Sequence, residues 1–352
     1  MAFRPVAANN VVLRVVGLMT VAGAALVIAS LTNESFIRAQ SPQIAAPTSV
    51  RLPDEVAGVD AIVRTLISAF DHVDIVLLGE AHGRRVDSDL RIAMVRHPDF
   101  AKRVRSIVVE FGSTSEQSLL DRYIRGENVT SAQLERVWKT TGQFRFSDAP
   151  ISPVYPEFFA AVRDVNAKLP ADARIRVFGG DPGPGDTRSR DTAAVSVVKE
   201  QVLQKHGKAL VIYGAAHFYR TMPADYLSNM GQDIGIVRML ESDYAGRTLA
   251  VIPLGGRLNI PPGAAAGPDP DYRKFDRALK TPARPVLVPL QRLPFRDFRA
   301  EEFMGRTIFN CRGPGGCRSI FQGSPLALGQ MGDACIYVGG DAEVDTKPKP
   351  GP

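Results

Sequence analysis

Two short glycine–histidine phrases carry the residues of this sequence that are best suited to chemistry. The first phrase is Gly79-Glu80-Ala81-His82-Gly83, and the second is Gly214-Ala215-Ala216-His217. A carboxylate that accepts a hydrogen bond from one imidazole N–H makes the other nitrogen a better base, able to deprotonate water. Alternatively, two histidines and a glutamate can hold a divalent cation that lowers the pKa of its bound water. Both arrangements produce a hydroxide-like nucleophile, so the phrases indicate a hydrolytic site.

Each phrase directly follows an apolar run that is typical of a buried parallel strand. The two runs are Asp74-Ile75-Val76-Leu77-Leu78 and Ala209-Leu210-Val211-Ile212-Tyr213. In an open α/β sheet, ligands bind in the groove outside the carboxyl ends of the strands. We therefore expect both phrases to lie at one functional edge of a sheet.

Polar side chains recur at the ends of two more predicted strands. Glu110 closes the run 106–110, and Asp181 follows the run 175–178. If these strands are parallel, two imidazoles and up to three carboxylates emerge at the same rim. Asp181 is predicted to bind substrate there, with helix capping as its alternative role. The predicted catalytic residues are Glu80, His82, Glu110 and His217.

Helical patterns alternate with short apolar runs from Leu52 onward, which is the signature of βαβ units. Helices are predicted at 55–70, 115–125, 131–139, 156–169 and 192–206, and further strands at 234–237, 249–252, 286–290 and 334–338. The pattern predicts an α/β fold, a single large domain over 52–340 with a mainly parallel sheet flanked by helices. The last two strands are assigned to the edge of that sheet. The Pro- and Gly-rich stretch 259–285 is predicted to be a surface excursion.

Composition restricts the classes of function. The chain of 352 residues is 45% hydrophobic and 23% charged, an ordinary globular balance, and its net charge is +6. No cluster of Lys and Arg is interleaved with aromatic residues, so a solvated basic surface is expected rather than a nucleic-acid groove. The partner expected for the predicted rim site is a small-molecule substrate. The segment 341–352, with its Lys-Pro repeats, is predicted to be disordered.

The N-terminal segment matches an export signal. Two arginines precede an apolar run from Val15 to Leu31, and a polar stretch then ends near Ala39-Gln40. Basic, apolar and small-residue regions in this order are typical of secretory signals, and a retained anchor fits the same run. We expect 1–40 to be a signal or anchor and 41–51 a linker. The folded part would then be periplasmic or extracellular, and a retained run would associate it with a membrane.

The three cysteines lie near the C-terminus, away from both histidine phrases. Cys311 and Cys317 flank a turn-rich segment that could close a small disulfide loop in an oxidising compartment. Spacing leaves a Cys317–Cys335 pair equally open. With no second cysteine pair and no histidine nearby, a zinc site is not expected there.

Three motifs resemble those of the superfamily that joins erythromycin esterases, ChaN-like haem-uptake proteins and Tiki/TraB-type proteins. They are Leu77-Leu78-Gly79-Glu80-Ala81-His82-Gly83, Val108-Val109-Glu110-Phe111 and Tyr213-Gly214-Ala215-Ala216-His217. The resemblance covers roughly residues 70 to 255 and includes Gly179-Gly180-Asp181. It implies an α/β fold with these residues at the rim. No Gly-x-Ser-x-Gly elbow is present, which argues against an ordinary α/β-hydrolase triad.

The esterase branch of the resemblance implies hydrolysis of a small or cyclic ester without an obligatory metal. His82 would be the general base, positioned by Glu80 and Glu110, and His217 would polarise the substrate. Arg84 is a further candidate for binding the substrate.

The other two branches imply a bound cofactor. The Tiki branch implies a divalent metal, for which His82, Glu110 and His217 would be the ligands. The ChaN branch implies a haem- or iron-binding envelope protein without catalysis, often with a tyrosine ligand. Tyr219, two residues beyond His217, is the candidate for such a ligand or for substrate binding.

Overall fold

An eight-stranded sheet organises the computed structural model, which describes residues 50–142, 144, 152–224, 226, 235–256, 270–305, 309–310 and 318–340. The strands of this sheet are β1 (Val56–Ala57), β2 (Ile75–Glu80), β3 (Ser106–Ser113), β4 (Arg176–Asp181), β5 (Ala209–Gly214), β6 (Thr248–Leu254), β7 (Val286–Pro289) and β10 (Ala334–Tyr337). Their order across the sheet is β1-β7-β10-β6-β2-β5-β3-β4. All neighbouring pairs from β10 to β4 are parallel, and only β7 runs antiparallel to its neighbours. The predicted mainly parallel sheet is therefore confirmed.

Helices cover the sheet and connect its strands. They are α1 (Val59–Ala69), α2 (Arg85–Arg96), α3 (Phe100–Arg103), α4 (Gln117–Ile124), α5 (Ser131–Lys139), α6 (Val154–Asn166), α7 (Arg190–Gln201), α8 (Ile236–Asp243), α9 (Tyr272–Ala278) and α10 (Ala300–Met304). A separate antiparallel pair is formed by β8 (Phe309–Asn310) and β9 (Arg318–Ser319). The start of α5 is fixed by a capping box between Thr130 and Gln133.

Alternating side chains of the central strand β2 enter two hydrophobic layers. Val76 and Leu78 pack in a cluster that includes residues of α1, α2 and α6. Ile75 and Leu77 face the other way and pack with residues of α7 and α8. Because both faces are covered, every residue of β2 is buried, as expected for a parallel strand. The carboxyl end of β2 is thus held rigidly between its neighbours β5 and β6.

The strand predicted at 234–237 is wrong. In the described part of this segment, Gly235 has a positive φ of 91° and precedes α8. Ile236, Val237 and Leu240 share the buried face of that helix. A short apolar run is compatible with either a strand or one face of a helix, and here packing against α7 favours the helix.

The late part of the chain extends the same sheet on one side. The runs 286–290 and 334–338 form β7 and β10 of the same sheet, as predicted, but neither is an edge strand, because β1 lies outside β7 and β10 lies between β7 and β6. Of the predicted excursion 259–285, residues from 270 onward are described. They contain α9, whose Phe275 is fully buried among aromatic side chains, so this part contributes to the core.

Several predictions concern residues outside the described ranges. These are the N-terminal signal or anchor, the linker up to residue 49, the tail 341–352, and the pairing of Cys311 with Cys317. Cys335 is buried in β10 and forms no disulfide with another described residue. Within the described part of the chain, no helix combines the length and apolarity needed to cross a membrane.

Candidate active site

Parallel pairing brings the two glycine–histidine phrases side by side. In the register of β2 with β5, Glu80 lies opposite Gly214. Strand β3 pairs with the other edge of β5, so Glu110 lies close to the end of β5. The carboxyl ends of these three strands therefore form one rim, as their sequence predicted.

Gly214 allows the His82 ring to lie against the backbone of β5. A Cβ atom at this position would be 2.7 Å from Cε1 and 2.8 Å from Nε2 of His82. Such distances are far shorter than a van der Waals contact, so only glycine fits without moving the ring. The glycine of the second phrase thus makes room for the histidine of the first.

His82 is held by Glu80 and remains half exposed. Its Nδ1 donates to Glu80 Oε1 at 3.0 Å, and 47% of its side chain is accessible. Its Nε2 lies 4.0 Å from Glu110 Oε1, beyond hydrogen-bond length. Burial lowers the pKa of His82, but the charges of Glu110 and Glu80 outweigh this effect and raise it above 6.5.

Glu80 is kept ionised by a buried cation. Arg91 forms an ion pair with Glu80 Oε2, and the Tyr155 hydroxyl donates to Oε1 at 3.0 Å. The guanidinium of Arg91 also lies over the rings of Phe111, Tyr155 and Phe158. Burial raises the pKa of Glu80, but Arg91 and His82 together lower it by more than burial raises it. The pKa of Glu80 is therefore below its ordinary range.

Glu110 is the centre of the cluster and is completely buried. Its Oε2 accepts the backbone N–H of Gly214, and its Oε1 accepts a hydrogen bond from Arg190. The same Oε1 lies 4.0 Å from His82 Nε2 and 3.6 Å from His217 Nε2. Burial alone would raise the pKa of Glu110, but these cationic neighbours hold it well below the ordinary range. Glu110 is therefore a fixed negative charge.

His217 carries its own carboxylate partner. It lies in a short 3₁₀ turn, Ala215–Phe218, and its Nδ1 donates to Asp191 Oδ1. The other oxygen of Asp191 accepts the N–H of Gly235 at 2.6 Å. Burial lowers the pKa of His217, but Asp191 and Glu110 raise it to about 10. His217 is consequently an imidazolium at neutral pH.

Arg190 and Asp191, the first residues of α7, were missed by the sequence analysis. Arg190 Nε donates to Asp181 Oδ1 at 2.7 Å, while one terminal nitrogen donates to Glu110. The available signal was Ser189, whose side chain accepts from Thr192 N as a helix cap. A serine cap at position 189 places the first helical residues, Arg190 and Asp191, directly after the loop that follows β4.

The structure brings together the predicted catalytic residues Glu80, His82, Glu110 and His217, and it adds Asp181 through Arg190. Arg84 and Tyr219 do not join them. Arg84 is buried, paired through two nitrogens with Asp87, and donates to Gly255 O at 2.8 Å. Each of the three guanidinium nitrogens of Arg84 therefore already donates to an acceptor within the protein.

Tyr219 is almost completely buried in a different hydrophobic cluster, where its ring packs against Phe321. It lies two residues past His217, and only 1% of its surface is accessible. The tyrosine that the ChaN branch would need is therefore not presented beside His82.

Glu80, His82 and Glu110 offer metal-ligand atoms that all lie within 4.8 Å of one another. Their oxygens are already engaged, however, by Arg91, Arg190 and the N–H of Gly214. A divalent cation held by these atoms would have to displace the contact between Arg190 and Glu110. In the described arrangement, binding of a divalent cation by these three residues would therefore require the existing contacts of the carboxylates to break.

Comparisons with known proteins show likeness in the fold. No protein-family model matches the chain, and no curated protein matches it in sequence. A succinoglycan biosynthesis protein superposes with a TM-score of 0.53 at 10% identity, covering 85% of this chain and 95% of that one. A protein from Bacillus cereus gives 0.51 at 13% identity with the same coverage. An erythromycin esterase variant in its open conformation gives 0.44 at 12% identity, over 82% of this chain and 96% of its own. The two superpositions with TM-scores above 0.5 show likeness in the fold, in agreement with the predicted α/β architecture.

Proposed function

We propose that this protein is a metal-independent hydrolase in which His82 activates water to cleave an ester or amide of a small molecule. The observation that carries the proposal is the His82–Glu80 pair, with Nδ1 bonded at 3.0 Å and a side chain that is 47% exposed. Export to the periplasm or the exterior belongs to the same proposal and rests on the N-terminal residues 1–40.

Glu80 fixes the proton on His82 Nδ1, because an ionised carboxylate can only accept a hydrogen bond. When the imidazole is neutral, the lone pair therefore lies on Nε2, the nitrogen nearer Glu110. A water molecule that gives a proton to Nε2 becomes the nucleophile and adds to the carbonyl carbon. When the C–O or C–N bond of the substrate then breaks, Nε2 returns that proton to the departing oxygen or nitrogen, which leaves a carboxylic acid and an alcohol or amine. Arg91 and Tyr155 stabilise the charge of Glu80, so the tautomer of His82 does not depend on solvent.

Glu110 stabilises the cation that this proton transfer creates. The protonated Nε2 of His82 lies 4.0 Å from a carboxylate that stays ionised. The attraction raises the pKa of His82 and makes it a stronger base than free imidazole. His82 thus takes the proton from water beside a carboxylate, Glu110, that already stabilises the resulting imidazolium.

His217 supplies the complementary positive charge. Its pKa of about 10 keeps it protonated under conditions in which His82 must be neutral to act. A fixed imidazolium at the rim stabilises negative charge that develops on the substrate oxygen. The two histidines therefore have different roles because their carboxylate partners differ, Glu80 for the base and Asp191 for the cation.

The test uses the full chain and a panel of short-chain esters and amides. His82→Gln is compared with wild type and with His72→Gln, which changes an exposed histidine at the end of α1. We expect His82→Gln to lower kcat/KM by about 10²–10⁴-fold and His72→Gln to leave it unchanged. Equal rates for wild type and His82→Gln would contradict the proposal.

Elemental analysis of the same preparations shows whether hydrolytic activity depends on a bound metal ion. We expect activity that does not follow metal content and survives dialysis against a chelator. One metal ion per chain that disappears in the double variant His82→Ala/His217→Ala, with loss of activity, would instead indicate a metal-dependent site. An absorbance spectrum with a Soret band would indicate the haem-binding alternative.

A further inference from the structure

We propose that Arg190 is a further catalytic residue, whose free guanidinium nitrogen binds the carbonyl oxygen of the scissile ester or amide and stabilises its developing negative charge. This inference rests on the hydrolytic function proposed above. It assigns a role to a side chain that no sequence motif identified.

Two buried carboxylates fix the guanidinium plane of Arg190. Nε donates to Asp181 Oδ1 at 2.7 Å and one Nη donates to Glu110 Oε1, and both carboxylates are fully buried. The remaining nitrogen, Nη1, donates to none of the described residues, and 31% of the side chain is accessible. Because the guanidinium fork is rigid, fixing two of its nitrogens also fixes the direction of the third.

Arg190 is placed beside the proposed base and not only beside its carboxylate partners. The Glu110 oxygen that accepts from Arg190 is the one that lies 4.0 Å from His82 Nε2 and 3.6 Å from His217 Nε2. Base, imidazolium and guanidinium thus surround a single oxygen atom. A substrate carbonyl whose oxygen binds to Arg190 and His217 would therefore lie beside the water molecule that His82 activates.

Charge at the accessible surface of the cluster favours an oxygen acceptor as the ligand. The carboxylates Glu80, Glu110 and Asp181 are buried, whereas His82, His217 and Arg190 retain exposed parts. Burial lowers the pKa of Arg190, but Glu110 and Asp181 raise it above its ordinary range, so the charge is permanent. A permanent, oriented cation needs no reorganisation when an oxyanion forms.

A purely structural role, in which Arg190 only neutralises Glu110, makes a different prediction. Removal of Arg190 would then disturb folding or the position of Glu110, and no added cation of the same shape would restore a specific rate. The matched control is Arg188, two positions earlier, which is more exposed and pairs with Asp186.

The experiment compares the full chain with Arg190→Ala, Arg190→Lys and Arg188→Ala on the ester that wild type hydrolyses fastest. For Arg190→Ala we expect kcat to fall by about 10²–10³-fold with little change in KM, and tens of millimolar guanidinium to restore part of the rate. Arg190→Lys keeps a charge beside both carboxylates but loses the fork, and we expect a kcat loss of at least tenfold at an unchanged Tm. Arg188→Ala should behave as wild type.

Each alternative outcome has a distinct meaning. If wild type hydrolyses the ester and Arg190→Lys retains its kcat, Arg190 does not bind the reacting oxygen, and only this inference is overturned. The same holds if guanidinium accelerates Arg188→Ala or His82→Gln as much as Arg190→Ala. If wild type hydrolyses nothing in the panel, the proposed function itself is wrong, and this inference is overturned with it. If Arg190→Ala does not fold, the kcat of Arg190→Lys decides the question.

Discussion

The substitution Asp191→Asn tests whether Asp191 keeps His217 protonated while His82 acts as the neutral base. In the wild type, Oδ1 of Asp191 accepts from His217 Nδ1 and Oδ2 accepts from Gly235 N at 2.6 Å. Asparagine has the same shape but offers only one oxygen. If that oxygen stays with Gly235, the amide NH₂ group faces His217 Nδ1, which must then become an acceptor and move its proton to Nε2.

The size of the effect follows from the lost charge. An opposite charge at hydrogen-bond distance changes a pKa by about 1–3 units, so the pKa of His217 should fall from about 10 to roughly 7–9. That change corresponds to roughly 1.4–4 kcal/mol of preference for the protonated form. The lost hydrogen bond should reduce the free energy of unfolding by about 1–3 kcal/mol.

The sign of the pH dependence is fixed by the raised pKa. Because His217 titrates at about 10 in the folded chain and near 6.5 when unfolded, its stabilisation is complete below pH 6.5. It is lost as the pH rises through 10. The stability difference between wild type and Asp191→Asn should therefore be largest near neutral pH or below and should shrink toward pH 10.

The assay is an NMR titration of the histidine side chains, with the His217 signal assigned from the spectrum of His217→Gln. The chain has five histidines, so the signals can be followed individually. Asp186→Asn, which alters a surface carboxylate paired with Arg188, is the control and should leave the His217 pKa unchanged. A His217 pKa that is near 6.5 in the wild type, or that does not move in Asp191→Asn, would refute this reasoning.

Three further predictions concern His82 and its supports. The rate of ester hydrolysis should rise with pH through a midpoint above 6.5, because the neutral form of His82 is the base and its pKa is raised; a pH-independent rate, or a midpoint at or below 6.5, would contradict this role. Gly214→Ala should lower kcat by roughly tenfold or more, because the added Cβ would lie 2.7 Å from the His82 ring and would displace it. A crystal structure of the variant with the His82 ring unmoved, together with a wild-type rate, would contradict this prediction. Arg91→Leu leaves the buried charge of Glu80 without its cation, so urea titration should find the free energy of unfolding reduced by about 3–5 kcal/mol, and a loss below 1 kcal/mol would show that Glu80 does not depend on Arg91.

The parallel strands and their terminal residues were predictable because their signal is local. The strand residues 75–78 and 209–213, which precede Gly79 and Gly214, are apolar apart from the hydroxyl of Tyr213, and parallel strands of this kind are buried on both faces. The polar residue that ends each run is then placed at the rim by topology alone. This is why Glu80, Glu110 and the two histidines could be grouped before the structure was known.

Helix α2 and the start of α7 were not predictable for a common reason. The buried residues of α2 include Arg85, Asp87 and Arg91, so the helix lacks the apolar periodicity that indicates a buried face. Arg190 and Asp191 likewise have the composition of a solvent-exposed helix start. Their importance arises from partners that are distant in sequence, Glu110 and His217, and such long-range pairing leaves no pattern within a local window.

A metal-independent histidine base is tested most directly by comparing the rates of ester hydrolysis of chelator-treated wild type and chelator-treated His82→Gln. We expect the metal-stripped wild type to hydrolyse the ester and His82→Gln to be slower by about 10²–10⁴-fold. Equal rates for the two proteins, or a wild-type rate that vanishes on chelation and returns with added metal, would contradict a metal-independent histidine base.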